Sequence, residues 1–73
     1  MQLHTRQAIT VLVNGETAET HAATLAELIA ERGFAEGAVA TALNGEFVPR
    51  AARAETGLAA NDKIEIVAPR QGG

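Results

Sequence analysis

The first periodic pattern of the chain lies at residues 8–13 and is typical of a β-strand with one buried face. Residues 8–13 are rich in β-branched side chains. Three of them share one face: Ile9, Val11 and Val13. The pair Asn14-Gly15 follows and favours a type I′ hairpin turn, because both central residues of that turn need positive φ. A second, more polar strand is therefore predicted over residues 16–21, at an edge of the sheet.

A short helix with a capping box is predicted next. The Thr24 hydroxyl can accept a hydrogen bond from the Glu27 N–H, while the Glu27 carboxylate can reach back to the Thr24 N–H. Three apolar residues then recur at helical spacing: Leu25, Leu28 and Ile29. Gly33 stands where a left-handed residue would end the helix, and Phe34 after it can pack back on Ile29.

The hairpin pattern returns after the helix. Residues 35–37 form a loop, and a third strand over residues 38–43 leads into a second Asn-Gly pair, Asn44-Gly45. The returning strand over residues 46–48 ends at Pro49, which cannot donate to a β-ladder.

The last apolar alternation covers residues 63–67, where Ile64 and Ile66 share one face. Before it, residues 50–57 have no clear period and could hold one helical turn, with Arg50 and Arg53 on the same side. Leu58 is expected to fill part of the core from this loop.

The predicted element order is thus ββαβββ, an α+β fold in which one mixed five-stranded sheet packs on one α-helix. That arrangement is a β-grasp, in which the first and last strands lie parallel and side by side in the middle of the sheet. We expect three parts: a mobile N-terminal extension over residues 1–7, the β-grasp domain over residues 8–68, and a flexible C-terminal tail over residues 69–73.

Composition and charge exclude several functions. The 73-residue chain has no cysteine, which excludes disulfides, a cysteine nucleophile and thiolate-bound zinc and favours a cytoplasmic protein. The polar N-terminus lacks the apolar region of a signal peptide, and no apolar run approaches membrane-spanning length. Nine acidic against six basic residues, a net charge of −3, argue against nucleic acid as a partner.

No intrinsic catalytic site is predicted, and no cofactor or metal is expected to bind to the chain itself. His4 and His21 have neither the spacing of a metal site nor that of a catalytic triad. The carboxylates form no plausible acid/base pair, and no glycine-rich phosphate loop is present. The remaining reactive group is the C-terminal carboxylate of Gly73, which follows Gly72 and so ends a thread without side chains.

Three segments resemble the ThiS family, the sulfur carrier proteins of thiamine biosynthesis. They are residues 42–50 (ALNGEFVPR), residues 61–67 (NDKIEIV) and the Gly72-Gly73 end, and the similarity spans residues 9–73. Asn61 stands where the family commonly has glycine, and asparagine also tolerates the left-handed conformation. The resemblance implies a ubiquitin-like β-grasp.

The resemblance also implies a function for the tail. Gly73 would be adenylated by an E1-like ThiF-type enzyme, which uses ATP, and then converted to a thiocarboxylate that delivers sulfur to thiazole synthase. A separate protein, such as a cysteine desulfurase, would donate the sulfur. We expect Arg70, Gln71 and Gly72 to enter the partner's active site with Gly73, and we expect the free protein to be a monomer.

Two alternatives stay open at this point. The same carboxylate chemistry would serve a carrier like the small subunit of molybdopterin synthase, or a ubiquitin-like modifier. A protein of another class, a non-covalent β-grasp interaction module, would not need its Gly-Gly end.

The sheet face turned away from the helix is the expected partner-docking surface. Strand alternation predicts that Leu12, Ala42 and Val67 are exposed there, with Phe47 added if Val48 points inward. These isolated apolar residues would also be ordinary on a surface without a partner. We expect Leu12→Glu or Val67→Glu to weaken partner binding without unfolding the domain.

Overall fold

The computed structural model describes residues 7–68. Its strands are β1 (Ile9–Val13), β2 (Glu16–Thr20), β3 (Ala40–Leu43), β4 (Glu46–Val48) and β5 (Lys63–Val67), and its helix is α1 (Leu25–Glu31). Two 3₁₀ segments, Glu36–Ala38 and Arg50–Glu55, precede β3 and follow β4. The predicted tail and all but one residue of the predicted N-terminal extension lie outside the described residues.

The strands form one mixed sheet in the order β2-β1-β5-β3-β4. Strand β1 pairs antiparallel with β2 and parallel with β5, and β3 pairs antiparallel with both β4 and β5. The predicted α+β fold, a five-stranded mixed sheet with one α-helix, is therefore confirmed. So is the parallel pairing of the first and last strands, which leaves β5 with a neighbour on each side.

Both Asn-Gly pairs form the predicted turns. Asn14 and Asn44 each have a φ of 52°, and Gly15 and Gly45 have φ values of 84° and 88°. Asn61, in the turn before β5, has a φ of 72° and so adopts the left-handed conformation, which asparagine tolerates.

The start of α1 confirms half of the predicted capping box. The Glu27 N–H donates to the Thr24 hydroxyl at 3.2 Å. The other half is wrong by one residue, since the Glu27 carboxylate accepts from the Ala23 N–H at 2.8 Å. The backbone around Thr24 is also bridged to Gly57, which ties the start of the helix to the loop before β5.

The end of α1 has the predicted left-handed glycine. Gly33 has a φ of 84°, and its N–H donates to the Ala30 carbonyl at 3.0 Å. The Phe34 N–H donates to the Ile29 carbonyl at 3.1 Å, which completes a Schellman motif. Phe34 packs, partly buried, against the core cluster that contains Ile29.

Three strand ends differ from the prediction. Strand β1 begins one residue later, β2 ends one residue earlier and β3 begins two residues later. After β2 the chain turns because the Thr20 hydroxyl accepts from the Ala22 N–H at 3.0 Å. Before β3 the Ala38 N–H donates to the Ala35 carbonyl at 3.0 Å, which closes a 3₁₀ turn where the sequence predicted extended chain.

One apolar cluster lies between the sheet and α1. Its buried members are Val11, Val13, Ala22, Leu25, Leu28, Ile29, Val39, Val48, Ile64 and Ile66. Leu58 is partly buried against this cluster, as predicted. The residues that alternate with these core positions on the strands face away from the helix and form the outer face of the sheet.

Arg53 occupies a position that the sequence pattern did not predict. Among the described residues it is the one buried charged side chain, with 3% of its surface exposed. Its guanidinium donates to the Glu36 carbonyl at 2.7 Å, the Val39 carbonyl at 2.6 Å and the Thr41 hydroxyl at 3.2 Å. Arg50 contacts the Glu36 side chain, so both arginines lie on the same side, as predicted.

Candidate functional site

Strand β5 leads directly into the C-terminal segment on which the predicted chemistry depends. Lys63 lies opposite Leu12 of β1, and Val67 lies opposite Ala40 of β3. The predicted site residues beyond it lie outside the described residues: Arg70, Gln71, Gly72 and Gly73. The described part of the candidate site is therefore β5 and the sheet surface around it.

Two large apolar side chains are exposed beside this strand. Phe47 is 69% exposed and Val67 is 61% exposed. Val48 is buried, so strand alternation turns Phe47 outward, which is the condition set by the sequence analysis. Both side chains line a shallow depression of about 180 Å³. Its lining residues are Ala40, Thr41, Ala42, Phe47, Glu65 and Val67.

The four predicted docking residues do not form one patch. Ala42, Phe47 and Val67 line the same depression, and Phe47 lies directly opposite Ala42 in the β3–β4 ladder. Leu12 is partly buried and does not line it, since its neighbours across the sheet are Thr17 and Lys63. The separation arises because β5 lies between β1 and β3.

Strand β5 also supplies the charged side chains of this face. Lys63 and Glu65 are both exposed, and each alternates with a buried isoleucine. Glu65 lines the apolar depression and also a second, more polar one of about 430 Å³. Lys63, Asn44 and Gly45 complete the lining of the second depression. The outer face therefore presents an apolar area beside β4 and an ionic area along β5.

Arg53 fixes the β3–β4 hairpin, which carries Phe47, through contacts on the buried side of the sheet. The Thr41 hydroxyl donates to the Val48 carbonyl at 3.0 Å and accepts from the Arg53 guanidinium. The alternation pattern could not predict this residue, because arginine is rarely fully buried and residues 50–57 show no period. The exposed Phe47 thus stands on a hairpin with a buried polar anchor.

The side chains of the two turn asparagines bind to β5. The Asn14 carboxamide accepts from the Ile66 N–H at 2.9 Å and donates to the Ile66 carbonyl at 3.1 Å. The Asn44 carboxamide accepts from the Lys63 N–H at 2.9 Å and donates to the Asp62 carboxylate at 3.1 Å. The sequence pattern did not predict these bonds. The available signal was asparagine at both turns, because aspartate or glycine would also suit them but cannot both donate and accept.

The described residues contain no group of three or more His, Asp or Glu side chains that could hold a metal ion. His21 is exposed at the end of β2, and His4 lies outside the described residues. No helix between residues 7 and 68 is long and apolar enough to cross a membrane. The described features of the candidate site are thus the exposed apolar and charged side chains around β5.

Comparison with known proteins adds the family. The model of the ThiS family matches residues 5–73. A crystal structure of the thiamine biosynthesis protein ThiS from Geobacter metallireducens is 28% identical, with a TM-score of 0.73, and the match covers 89% of this chain and 100% of that one. An NMR structure of a thiamine biosynthesis protein from Geobacter metallireducens is also 28% identical, with a TM-score of 0.75 and coverage of 89% and 88%. No curated protein matches the sequence.

Proposed function

Because the chain belongs to the ThiS family, we propose that it is a sulfur carrier protein of thiamine biosynthesis, a co-substrate of enzymes and not itself an enzyme. The observation that carries this proposal is the extent of the family match. It runs to residue 73 and so includes the Gly72-Gly73 end. The predicted cytoplasmic location stays a prediction.

The proposed chemistry takes place on the carboxylate of Gly73. A carboxylate is a poor electrophile, so an E1-like ThiF-type partner first transfers AMP to it from ATP and releases pyrophosphate. A sulfur donor, such as a cysteine desulfurase, then attacks the adenylate with the terminal sulfur of a persulfide and displaces AMP. A thiol cleaves the resulting acyl disulfide, which leaves a thiocarboxylate on Gly73 and a disulfide on the donor side. Thiazole synthase takes the sulfur from this group. The chain supplies the carboxylate and the recognition surface, and its partners supply the catalytic groups, the ATP and the sulfur.

The outer face of the sheet is the proposed docking surface for these partners. Burial of Phe47 and Val67 against an apolar partner surface would remove two largely exposed side chains from water. Lys63 and Glu65 lie beside them and would align the partner by charge. Arg70, Gln71 and Gly72 would then enter the partner's active site with Gly73. Gly72 and Gly73 have no side chains, so their backbone can approach the partner's catalytic groups closely.

Intact mass spectrometry tests the proposal. The protein is incubated with a ThiF-type enzyme, ATP and a sulfur donor, and we expect the mass to increase by the replacement of one oxygen with one sulfur. A variant that lacks Gly73 is the control, and it should gain no mass. If the full chain shows no exchange while a known carrier does so in parallel, the proposal is wrong.

A genetic test separates thiazole formation from the other acceptors. Deletion of the gene should make growth depend on added thiazole, and the full chain, but not the chain without Gly73, should restore growth. A requirement for molybdopterin instead would identify the other carrier pathway. Restoration by the chain without Gly73 would indicate a non-covalent interaction module.

A further inference from the structure

The ladder between β1 and β5 continues past the end of β1 through one side chain. The Leu12 N–H donates to the Asp62 carbonyl at 2.9 Å, and the Asn14 N–H donates to the Ile64 carbonyl at 2.8 Å. The next β5 residue with polar groups on this side is Ile66. Its N–H and carbonyl both bind the Asn14 carboxamide.

The Asn14 carboxamide takes the place of a peptide group. In a parallel ladder the Ile66 N–H would meet a backbone carbonyl of β1, and its carbonyl would meet the N–H two residues further on. The backbone cannot supply these groups, because the chain reverses at Asn14 and Gly15, both with positive φ. A carboxamide has the same donor and acceptor as a peptide group, so it satisfies both.

Strand β3 does not provide alternative partners for Ile66. The Asn44 N–H donates to the Lys63 carbonyl at 2.7 Å, so Lys63 directs its polar groups toward β3. Direction alternates along a strand, and the polar groups of Ile66 therefore face β1. Without the Asn14 side chain they would have no partner in the ladder, at the point where β5 is one residue from its end.

We propose that Asn14 is a positioning residue for the C-terminal segment: its carboxamide holds β5 in the sheet through Ile66, so that Val67 and Ala68 leave the domain at a defined place. A defined exit lowers the conformational entropy that a partner must remove when it takes up the residues that follow. The consequence for partner kinetics rests on the proposed function; the anchoring of Ile66 does not.

Asn44 provides a matched control. It has the same φ of 52° and also precedes a glycine, but its side chain binds Lys63 and Asp62 at the start of β5. Glycine tolerates positive φ, so Asn14→Gly and Asn44→Gly remove the two carboxamides without straining the turns. Any difference between the variants then reports which end of β5 has lost its side-chain bonds.

Amide hydrogen exchange of the free protein tests the anchoring. In Asn14→Gly we expect exchange at Ile66 to be at least about tenfold faster than in the parent protein. In Asn44→Gly the Ile66 rate should stay within about twofold, and Lys63 should exchange faster instead. Denaturant titrations of both variants measure any change in global stability. An unchanged Ile66 rate in Asn14→Gly overturns the proposal.

Kinetics with the adenylating partner test the positioning role. We expect Asn14→Gly to raise the KM of a ThiF-type enzyme for the carrier by about three- to tenfold with kcat almost unchanged, because the lost order affects uptake of the segment and not the bond-making step. Asn44→Gly removes a side chain that lines the second depression of the proposed docking surface, and its KM should rise by less than that of Asn14→Gly.

Asn14→Asp keeps the side-chain shape and an acceptor for the Ile66 N–H, but it directs a second oxygen at the Ile66 carbonyl. It should therefore restore only part of the exchange protection, and its KM should lie between that of the parent and that of Asn14→Gly. An equal KM rise in the two glycine variants would overturn the positioning role. If the partner adenylates no form of the chain, including the parent, the proposed function fails, and the exchange measurement still decides the anchoring.

Discussion

Replacement of the buried Arg53 should strongly destabilise the domain. The guanidinium donates to two backbone carbonyls and one hydroxyl, and 3% of the side chain is exposed. In Arg53→Ala these acceptors, which belong to Glu36, Val39 and Thr41, lose their donor. The 3₁₀ segments on both sides of the β3–β4 hairpin then lose their connection through this side chain.

The magnitude follows from opposing terms. Three hydrogen bonds to a charged donor contribute about 1.5–3 kcal/mol each, and burial of the charge offsets several kcal/mol of that sum. A net loss of about 2–4 kcal/mol remains once the packing of the side-chain stem is included. A chain of 73 residues has a total stability of about 4–11 kcal/mol, so the variant should lose a large share of it.

Thermal and urea unfolding followed by circular dichroism measure the effect. At about 4–8 °C per kcal/mol, Arg53→Ala should lower Tm by roughly 10–30 °C. Arg50→Ala is the matched control, because it lies in the same segment but its side chain is 62% exposed and meets Glu36 at 3.5 Å. That pair should contribute less than about 1 kcal/mol. An Arg53→Met variant as stable as the parent would contradict this prediction, since it would show that the three bonds do not outweigh the burial of the charge.

Two further predictions concern the docking surface and the helix cap. Val67→Glu and Phe47→Glu should each weaken binding of a ThiF-type partner by at least about tenfold in calorimetry with Tm almost unchanged, because both side chains are largely exposed. Leu12→Glu should have a smaller effect if the depression beside Phe47 is the centre of the interface, and an equal effect would indicate that the interface extends across β5. Thr24→Ala should lower the free energy of unfolding by about 1 kcal/mol, because the Glu27 N–H loses its acceptor at 3.2 Å. A Tm within 1–2 °C of the parent, against the roughly 4–8 °C fall expected, would show that the cap contributes little.

Local chemistry explains why much of the fold could be predicted. Positive φ at Asn14-Gly15 and Asn44-Gly45, the Thr24 cap and the left-handed Gly33 each depend on residues a few positions apart. The strand ends were less accurate because hydrogen bonds outside the apolar pattern set them. The 3₁₀ turn closed by Ala38 and Ala35 shortened β3 in this way.

The candidate site, too, could be predicted only in part. Alternation left the direction of Phe47 dependent on that of Val48, and the burial of Val48 in the structure turns Phe47 outward. It could not show that Leu12 lies apart from the depression, because the distance between two strands depends on the order of strands in the sheet. Here β5 lies between β1 and β3 and places Lys63 beside Leu12.

Residues close together along the chain fix the order of elements, the turns and the helix ends, and short segments carry the resemblance: residues 42–50, residues 61–67 and the Gly72-Gly73 end. All of these could therefore be predicted without the structure. Three features arise only when the chain folds: the burial of Arg53, the separation of Leu12 from Phe47 and the contact between Asn14 and Ile66. Each of these depends on groups brought together from distant parts of the chain, and a sequence separation of 52 between Asn14 and Ile66 leaves no periodic pattern that would predict their contact.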